Sequence, residues 1–301
     1  MRSLLLAATL AALGSVGLRA QDTLQFYATF VGPDGRPLTQ ITAADIDVRE
    51  NGMSAQVVRV DKVDWPVKVE LLLDNGAGIG PDNLLVLRTA LEGFVDWLPE
   101  GVEASVITLA PQPRTLVRPT TDKQALRAGA GLLTPDGGAG RFVEGLMEAA
   151  TRINRTRGDK DGGRYFPVIV ALGSTAAQGR TPVERQVEEM LERMARHAAT
   201  VHVIMLTSTS QGLTGGANQT QVGIAVSELT GGVYENLSAA SRIATLLPEL
   251  AQRIGDSHAR QQQQFRVTWR RPAGATGETG RVTVGARGAA RAQLSLDGHL
   301  P

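Results

Sequence analysis

The chain has 301 residues, 42% of them hydrophobic and 4% aromatic, with 34 glycines and no cysteine. There are 31 basic and 30 acidic side chains, a formal net charge of +1, so charge gives no case for nucleic acid or an anionic membrane as partner. Without cysteine there is no disulfide and no thiolate metal site. Stability must come from an apolar core, which a chain of this length can supply.

Residues 1–20, "MRSLLLAATLAALGSVGLRA", carry a positive Arg2, an apolar run from Leu4 to Leu13, and Ala20 before a polar start at Gln21. That is the pattern of a secretory signal peptide, and the apolar run is too short to span a bilayer. The mature protein is therefore expected to be exported, periplasmic or secreted, with no membrane span. Leu18 leaves the cleavage position open, and with no Cys a lipoprotein is excluded.

Residues 21–63 read as short strands. "LQFYATFVG" puts Leu24, Phe26, Ala28 and Phe30 on one face. "DIDVRENG" ends at Asn51-Gly52, a hairpin turn, and "SAQVVRVDKV" is the returning strand.

From residue 64 to about 258 the rhythm changes. "VKVELLLDN" is a nearly continuous apolar strand of the kind buried in parallel sheets. "PDNLLVLRTALEGFVDWLP" is an amphipathic helix bounded by Pro81 and Pro99. The buried strands "VEASVITLA", "RYFPVIVALG" and "TVHVIMLTS", a weaker "RTLVRPTTD" and a short "VYENLS" alternate with further helices, the last being "SAASRIATLLPELAQRI". Such alternation argues an α/β fold, doubly wound, with a mostly parallel sheet and helices on both faces. From residue 264 to 301 the chain returns to β: "QFRVTWRR" alternates Phe265, Val267 and Trp269, and two short strands follow. The N- and C-terminal β segments are expected to pack together as one small β-sandwich, with the α/β domain inserted between them.

The order of these elements resembles that of the exported bacterial proteins known as VWFA-related, which are built on a von Willebrand factor A (VWA) domain. "DIDVRENG" (Asp45 to Gly52) resembles their "DF-x-V-x-E-D-G" motif. Thr120 to Asp122, "TTD", opens a helix in the family's place. Thr230-Gly231-Gly232 matches a "TGG" before the last strand, and Phe265 to Trp269 resembles a "Y-x-L-x-Y" strand. The resemblance spans nearly all of the mature chain. It implies a VWA fold and a role in binding other proteins.

VWA domains of this kind usually hold Mg²⁺ in an adhesion site built from D-x-S-x-S after the first strand, a threonine in a later loop and an aspartate after the fourth strand. Asp74 matches the first aspartate, while Gly76 and Gly78 replace the serines. Ala139 or Gly140 takes the threonine's place, and Gly173 or its neighbour Ser174 falls at the last aspartate. One carboxylate is a poor host for a cation that wants six hard oxygens. The expectation is therefore no metal and no cofactor. The loop edge itself, with Asp74, Asn75, Gly76, Gly78, Asp136, Gly140, Arg141, Gly173 and Ser174, is the candidate surface for a protein partner. The bland reading of Asp74 is a turn or helix cap. The alternative keeps Mg²⁺ or Mn²⁺ at Asp74, helped by Ser174 or Asp136; Asp82 and Glu144 lie in the same loops.

Other chemistry is weaker. "NGAGIG" has G-x-G-x-G spacing rather than the dinucleotide G-x-G-x-x-G, and no Walker loop is present. Ser174 follows a strand, but "LGSTA" lacks the G-x-S-x-G of a nucleophile elbow. The four histidines show no paired metal-binding spacing. The chain is read as a non-enzymatic interaction module, with an esterase-type hydrolase using Ser174 as a further alternative.

Overall fold

The computed structural model describes residues 23–158, 164–176, 182–208, 216–275, 277–296 and 298; the expected signal peptide lies outside them. The chain builds two six-stranded sheets.

The first sheet is made from both ends of the sequence. Strands β1 (Thr23–Val31), β2 (Ile46–Glu50) and β3 (Met53–Lys62) join β10 (Phe265–Arg270), β11 (Val282–Ala286) and β12 (Arg291–Ser295) in the order β11-β2-β3-β10-β1-β12, all antiparallel. The alternation seen in the sequence sets the faces. Phe26, Ala28, Phe30, Val48, Phe265, Val267 and Trp269 share one buried cluster. The β2–β3 hairpin turns through Asn51 and Gly52, both at positive φ, as a two-residue hairpin loop demands. β3 is the corner. Its residues 53–55 pair with β2 and its residues 56–62 pair with β10. The six strands are thus linked through β3 around a single core.

Glu50, fully buried at the end of β2, accepts from Arg271 Nε at 3.1 Å and Gly280 N at 3.0 Å. Those donors hold the Glu50 carboxyl below the usual carboxylate range, the Arg271 hydrogen bonds contributing most.

The second sheet has the order β6-β5-β4-β7-β8-β9. Its strands are β4 (Val67–Leu73), β5 (Glu103–Thr108), β6 (Arg114–Thr120), β7 (Phe166–Ser174), β8 (Thr200–Leu206) and β9 (Tyr234–Leu237). All neighbours are parallel except β5 and β6. Leu71 and Leu73 point into a cluster with residues of α1 (Pro81–Trp97), α2 (Lys123–Gly131) and α6 (Ile243–Gln261). Leu72 points the other way, into a cluster with α3 (Phe142–Gly158), α4 (Glu184–Arg196) and α5 (Gly216–Leu229).

α1 shows how the helices are placed. Pro81 suits its first turn, Leu84, Leu87, Leu91, Phe94 and Val95 form its buried stripe, and Pro99 follows its end. α6 ends at Gln261, a residue 6% exposed. The two sheets meet at an aromatic joint. Tyr27, on the outer face of β1, meets Trp65 edge-on at 5.6 Å, and Trp65 stacks near Phe166 at 5.3 Å. The two crossings between the sheets are adjacent, with Val63 N–H donating to Gln264 C=O at 2.9 Å.

Candidate functional site

Strand order in the second sheet reverses at β4: β5 and β6 lie to one side, β7 to β9 to the other. In open α/β sheets the crevice beyond the carboxyl ends of such strands is where ligands are bound. Asp74 follows the end of β4 and Ser174 ends β7, so both stand at that point.

Asp74 is 1% exposed. One carboxylate oxygen accepts from Gly76 N at 2.8 Å, and the other accepts from the Ser174 hydroxyl at 3.2 Å. Burial pushes the Asp74 carboxyl above the usual carboxylate range, against the pull of the Gly76 and Ser174 donors, and none of the groups acting on it is a cation. This geometry is a self-contained cap: the carboxylate ties its own turn to the neighbouring strand.

The glycines explain why the cap closes. A methyl group at Gly140 would lie 2.4 Å from an Asp74 carboxylate oxygen. At Gly78 it would lie 2.3 Å from Ser174 Oγ, and at Gly76 2.7 Å from Gly138 O. These three positions are where the loops touch, so Gly140, rather than Ala139, is the residue facing Asp74. Gly173 faces away, toward Phe142 and Met205, so Ser174 is the residue of β7 that meets Asp74.

Asn75 fastens the three loops. Its side chain is 7% exposed, donates to Thr134 O at 2.9 Å and accepts from Ala110 N at 3.0 Å. Its own carbonyl accepts from Asp136 N at 2.8 Å. Asp136 turns back on its loop, accepting from Gly138 N at 2.7 Å. Arg141 points outward along α3, donating to Pro111 O at 3.2 Å and Glu144 Oε1 at 3.1 Å.

The nine residues singled out from the sequence are therefore brought together, but mostly inward. Asp74, Asn75, Gly76, Gly140, Gly173 and Ser174 are buried, and only Gly78, Asp136 and Arg141 are part-exposed. Arg141 also borders a surface groove of about 850 Å³ along α3, with Gln112, Glu144, Met147, Glu148 and Arg152. Sequence reading missed this groove, because its walls come from two segments some thirty residues apart whose meeting is a tertiary event. It also missed Gln219 of α5, 2% exposed, whose amide donates to Ser174 O at 3.2 Å and braces the end of β7.

The donor set is a poor match for Mg²⁺. Gly76, Gly78 and Gly140 offer no side-chain oxygen, and their close contacts leave no space for one. Mg²⁺ needs six oxygens at about 2.0–2.1 Å. Among the described residues no three His, Cys, Asp or Glu side chains converge on a point suited to a metal ion. Asp82 stays in the first turn of α1, and Glu144 is taken by Arg141.

Ser174, at 2% exposure, has the Asp74 carboxylate as its partner. The described histidines are engaged elsewhere: His197 with Asn154, His202 with Val233 N, and His258 with Trp65 O. Among the described residues no histidine is hydrogen-bonded to Ser174.

Among solved structures the chain is similar to a von Willebrand factor type A protein from Catenulispora acidiphila, with a TM-score of 0.50 and 9% identity over 91% of this chain and 71% of that one. It is also similar to the vWF domain of the type V pili tip protein Mfa5 from Porphyromonas gingivalis (TM-score 0.44, 12% identity, 64% of this chain and 96% of that one). A third similar structure is BatB from Bacteroides thetaiotaomicron (TM-score 0.43, 14% identity, 64% and 100%). No family model matches the chain, and no curated protein does.

Proposed function

From the von Willebrand factor type A fold of this chain, we propose that it is an exported, non-enzymatic module for binding another protein, and that the contact does not run through a metal ion. We further propose its division into a signal peptide at 1–20, a VWA-like unit at 64–258, and a β unit formed jointly by 21–63 and 264–301.

The observation that carries the reading is the sealing of Asp74. A carboxylate that completes a metal site must present an oxygen to the ion. This one spends its oxygens on Gly76 N–H and the Ser174 hydroxyl, in contact with Gly140. The partner then meets the rim of the loop edge. Arg141 and the groove beside it are the part of that rim with accessible charge and concavity, and concave surfaces with a few polar groups favour binding. Export rests on the N-terminal pattern alone. Among the described residues no helix is long and apolar enough to cross a membrane.

Capture of partners from an envelope extract by the immobilised chain tests this, with and without chelator. The expected result is a partner retained equally under both conditions and reduced by Arg141→Glu. A partner released by the chelator, or held equally by the variant, contradicts the proposal.

A further inference from the structure

A second cavity, of about 350 Å³, lies at the opposite edge of the α/β sheet, under the first residues of β4, β7 and β8 and against the last turns of α6. It is separate from the loop edge around Asp74 and independent of the function proposed for that edge.

Two of its lining side chains are buried polar groups with unused hydrogen-bonding capacity. His202, on β8, is 4% exposed. Its Nδ1 accepts from Val233 N at 3.2 Å, which leaves the ring proton on Nε2. Nε2 has no hydrogen-bond partner among the described residues. Gln261, the last residue of α6, is 6% exposed, and its side-chain amide likewise has none. Buried polar groups are nearly always paired. The side-chain atoms sealed in protein without a partner lie elsewhere, such as Thr29 Oγ1 and Ser227 Oγ. The polar ends of His202 and Gln261 are therefore open, and what they open onto is the cavity they line.

Arg253 and Arg260 also line it, seven residues apart and so on one face of α6. Among the described residues neither guanidinium has an ion pair, and Asp256 between them pairs with neither. Arg253 is close enough to His202 to act on its ionisation. The carboxyl end of α6 contributes about half a negative charge here, against two full positive ones. Ser257 adds a hydroxyl to the wall.

We propose that this cavity binds a small anion whose carboxylate or phosphate group is held by Arg253 and Arg260, with His202 Nε2–H and the Gln261 amide as its inner partners. Guanidinium forks match both groups in a bidentate way. The volume is at the small end of ligand sites, which suits a phosphate ion or a short dicarboxylate. The ring of His202 is held neutral down to about pH 4, by burial first and Arg253 second, so it donates without needing a charge.

The test titrates the full chain with inorganic phosphate, and separately with succinate, by calorimetry at constant ionic strength. The ring signals of the four histidines are followed by NMR in the same series. Expected are saturable binding of at least one anion and a shift of the His202 ring alone. Affinity should weaken at least about tenfold in both Arg253→Ala and Arg260→Ala, two exposed positions whose loss leaves the core intact. Arg185→Ala, on α4, should change nothing. Binding of phosphate only assigns a phosphate group, and binding of succinate only assigns a carboxylate. The proposal is overturned if neither anion saturates by about 10 mM, if both arginine variants bind as the parent does, or if the His202 signal stays fixed.

Discussion

Gly140→Ala probes the closed loop edge directly. The backbone of Gly140 is not in the left-handed region, so alanine is allowed there and would ordinarily stabilise by about 0.4–1 kcal/mol through the unfolded chain. The structure predicts the opposite sign. The new methyl would stand 2.4–2.5 Å from three atoms of the Asp74 carboxyl group, well inside any real contact. The carboxylate cannot swing away freely: it is 1% exposed and tied to Gly76 N–H and the Ser174 hydroxyl. Overpacking of this kind costs about 1–3 kcal/mol, and a buried donor left unpaired costs about 1–3 more. A net destabilisation of about 2–4 kcal/mol should appear in urea unfolding as a lower midpoint at unchanged slope. In an Asp74→Ala background the clash partner is gone, so most of the Gly140→Ala cost should vanish, a coupling of about 1–3 kcal/mol. A cost below about 0.5 kcal/mol, or the same cost in both backgrounds, would refute the contact.

Three further outcomes are expected, two at the loop edge and one at the opposite edge of the sheet. Asn75→Ala should lower stability by about 1–3 kcal/mol in the same assay, since it strands the buried Ala110 N–H and removes the tie to Thr134 C=O. Asp74→Asn should behave oppositely. The folded carboxyl is raised above its unfolded value near 3.8, so its stabilising proton is fully in place below that pH and lost as pH rises through the folded value. The uncharged variant should therefore match or exceed the parent at neutral pH, by on the order of 1 kcal/mol, with the gap closing below about pH 4. His202 has the reverse sign. Its pKa is lowered from 6.5 to about 4, so stability present above pH 6.5 falls as acid protonates the unfolded chain first. The loss across that window is on the order of 3 kcal/mol, and His202→Gln should remove it from the parent's pH–stability curve. His197, also lowered by burial first, contributes to the parent and the variant alike.

Local patterns carried much of the architecture. The alternation of Phe26, Ala28 and Phe30, and of Phe265, Val267 and Trp269, identified the inner face of the terminal sheet because a strand has period two. Pro81 and Pro99 bounded α1 because each acts on its own backbone. The double service of β3 was not legible, since a ten-residue strand reads the same whether it pairs with one partner or two. The site was legible as a location and not as a state. Asp74 at the end of an apolar strand marked the sheet edge, and the glycines at 76, 78 and 140 showed that hydroxyls were missing. Whether the gaps remain open or the loops close over them depends on contacts 59 to 100 residues apart in sequence, such as Asn75 with Thr134 and Asp74 with Ser174. The cavity at the opposite edge left even less trace. His202 sits in an ordinary β-strand pattern, and its partner elements arrive from α6, some fifty residues later.

The most direct measurement is calorimetric titration of the chain with Mn²⁺ and with Mg²⁺ into the millimolar range, beside Asp74→Ala. No saturable heat is expected for either ion, and indistinguishable traces for parent and variant. Saturable binding to the parent that disappears in Asp74→Ala would contradict it, and would return the loop edge to the metal-dependent class.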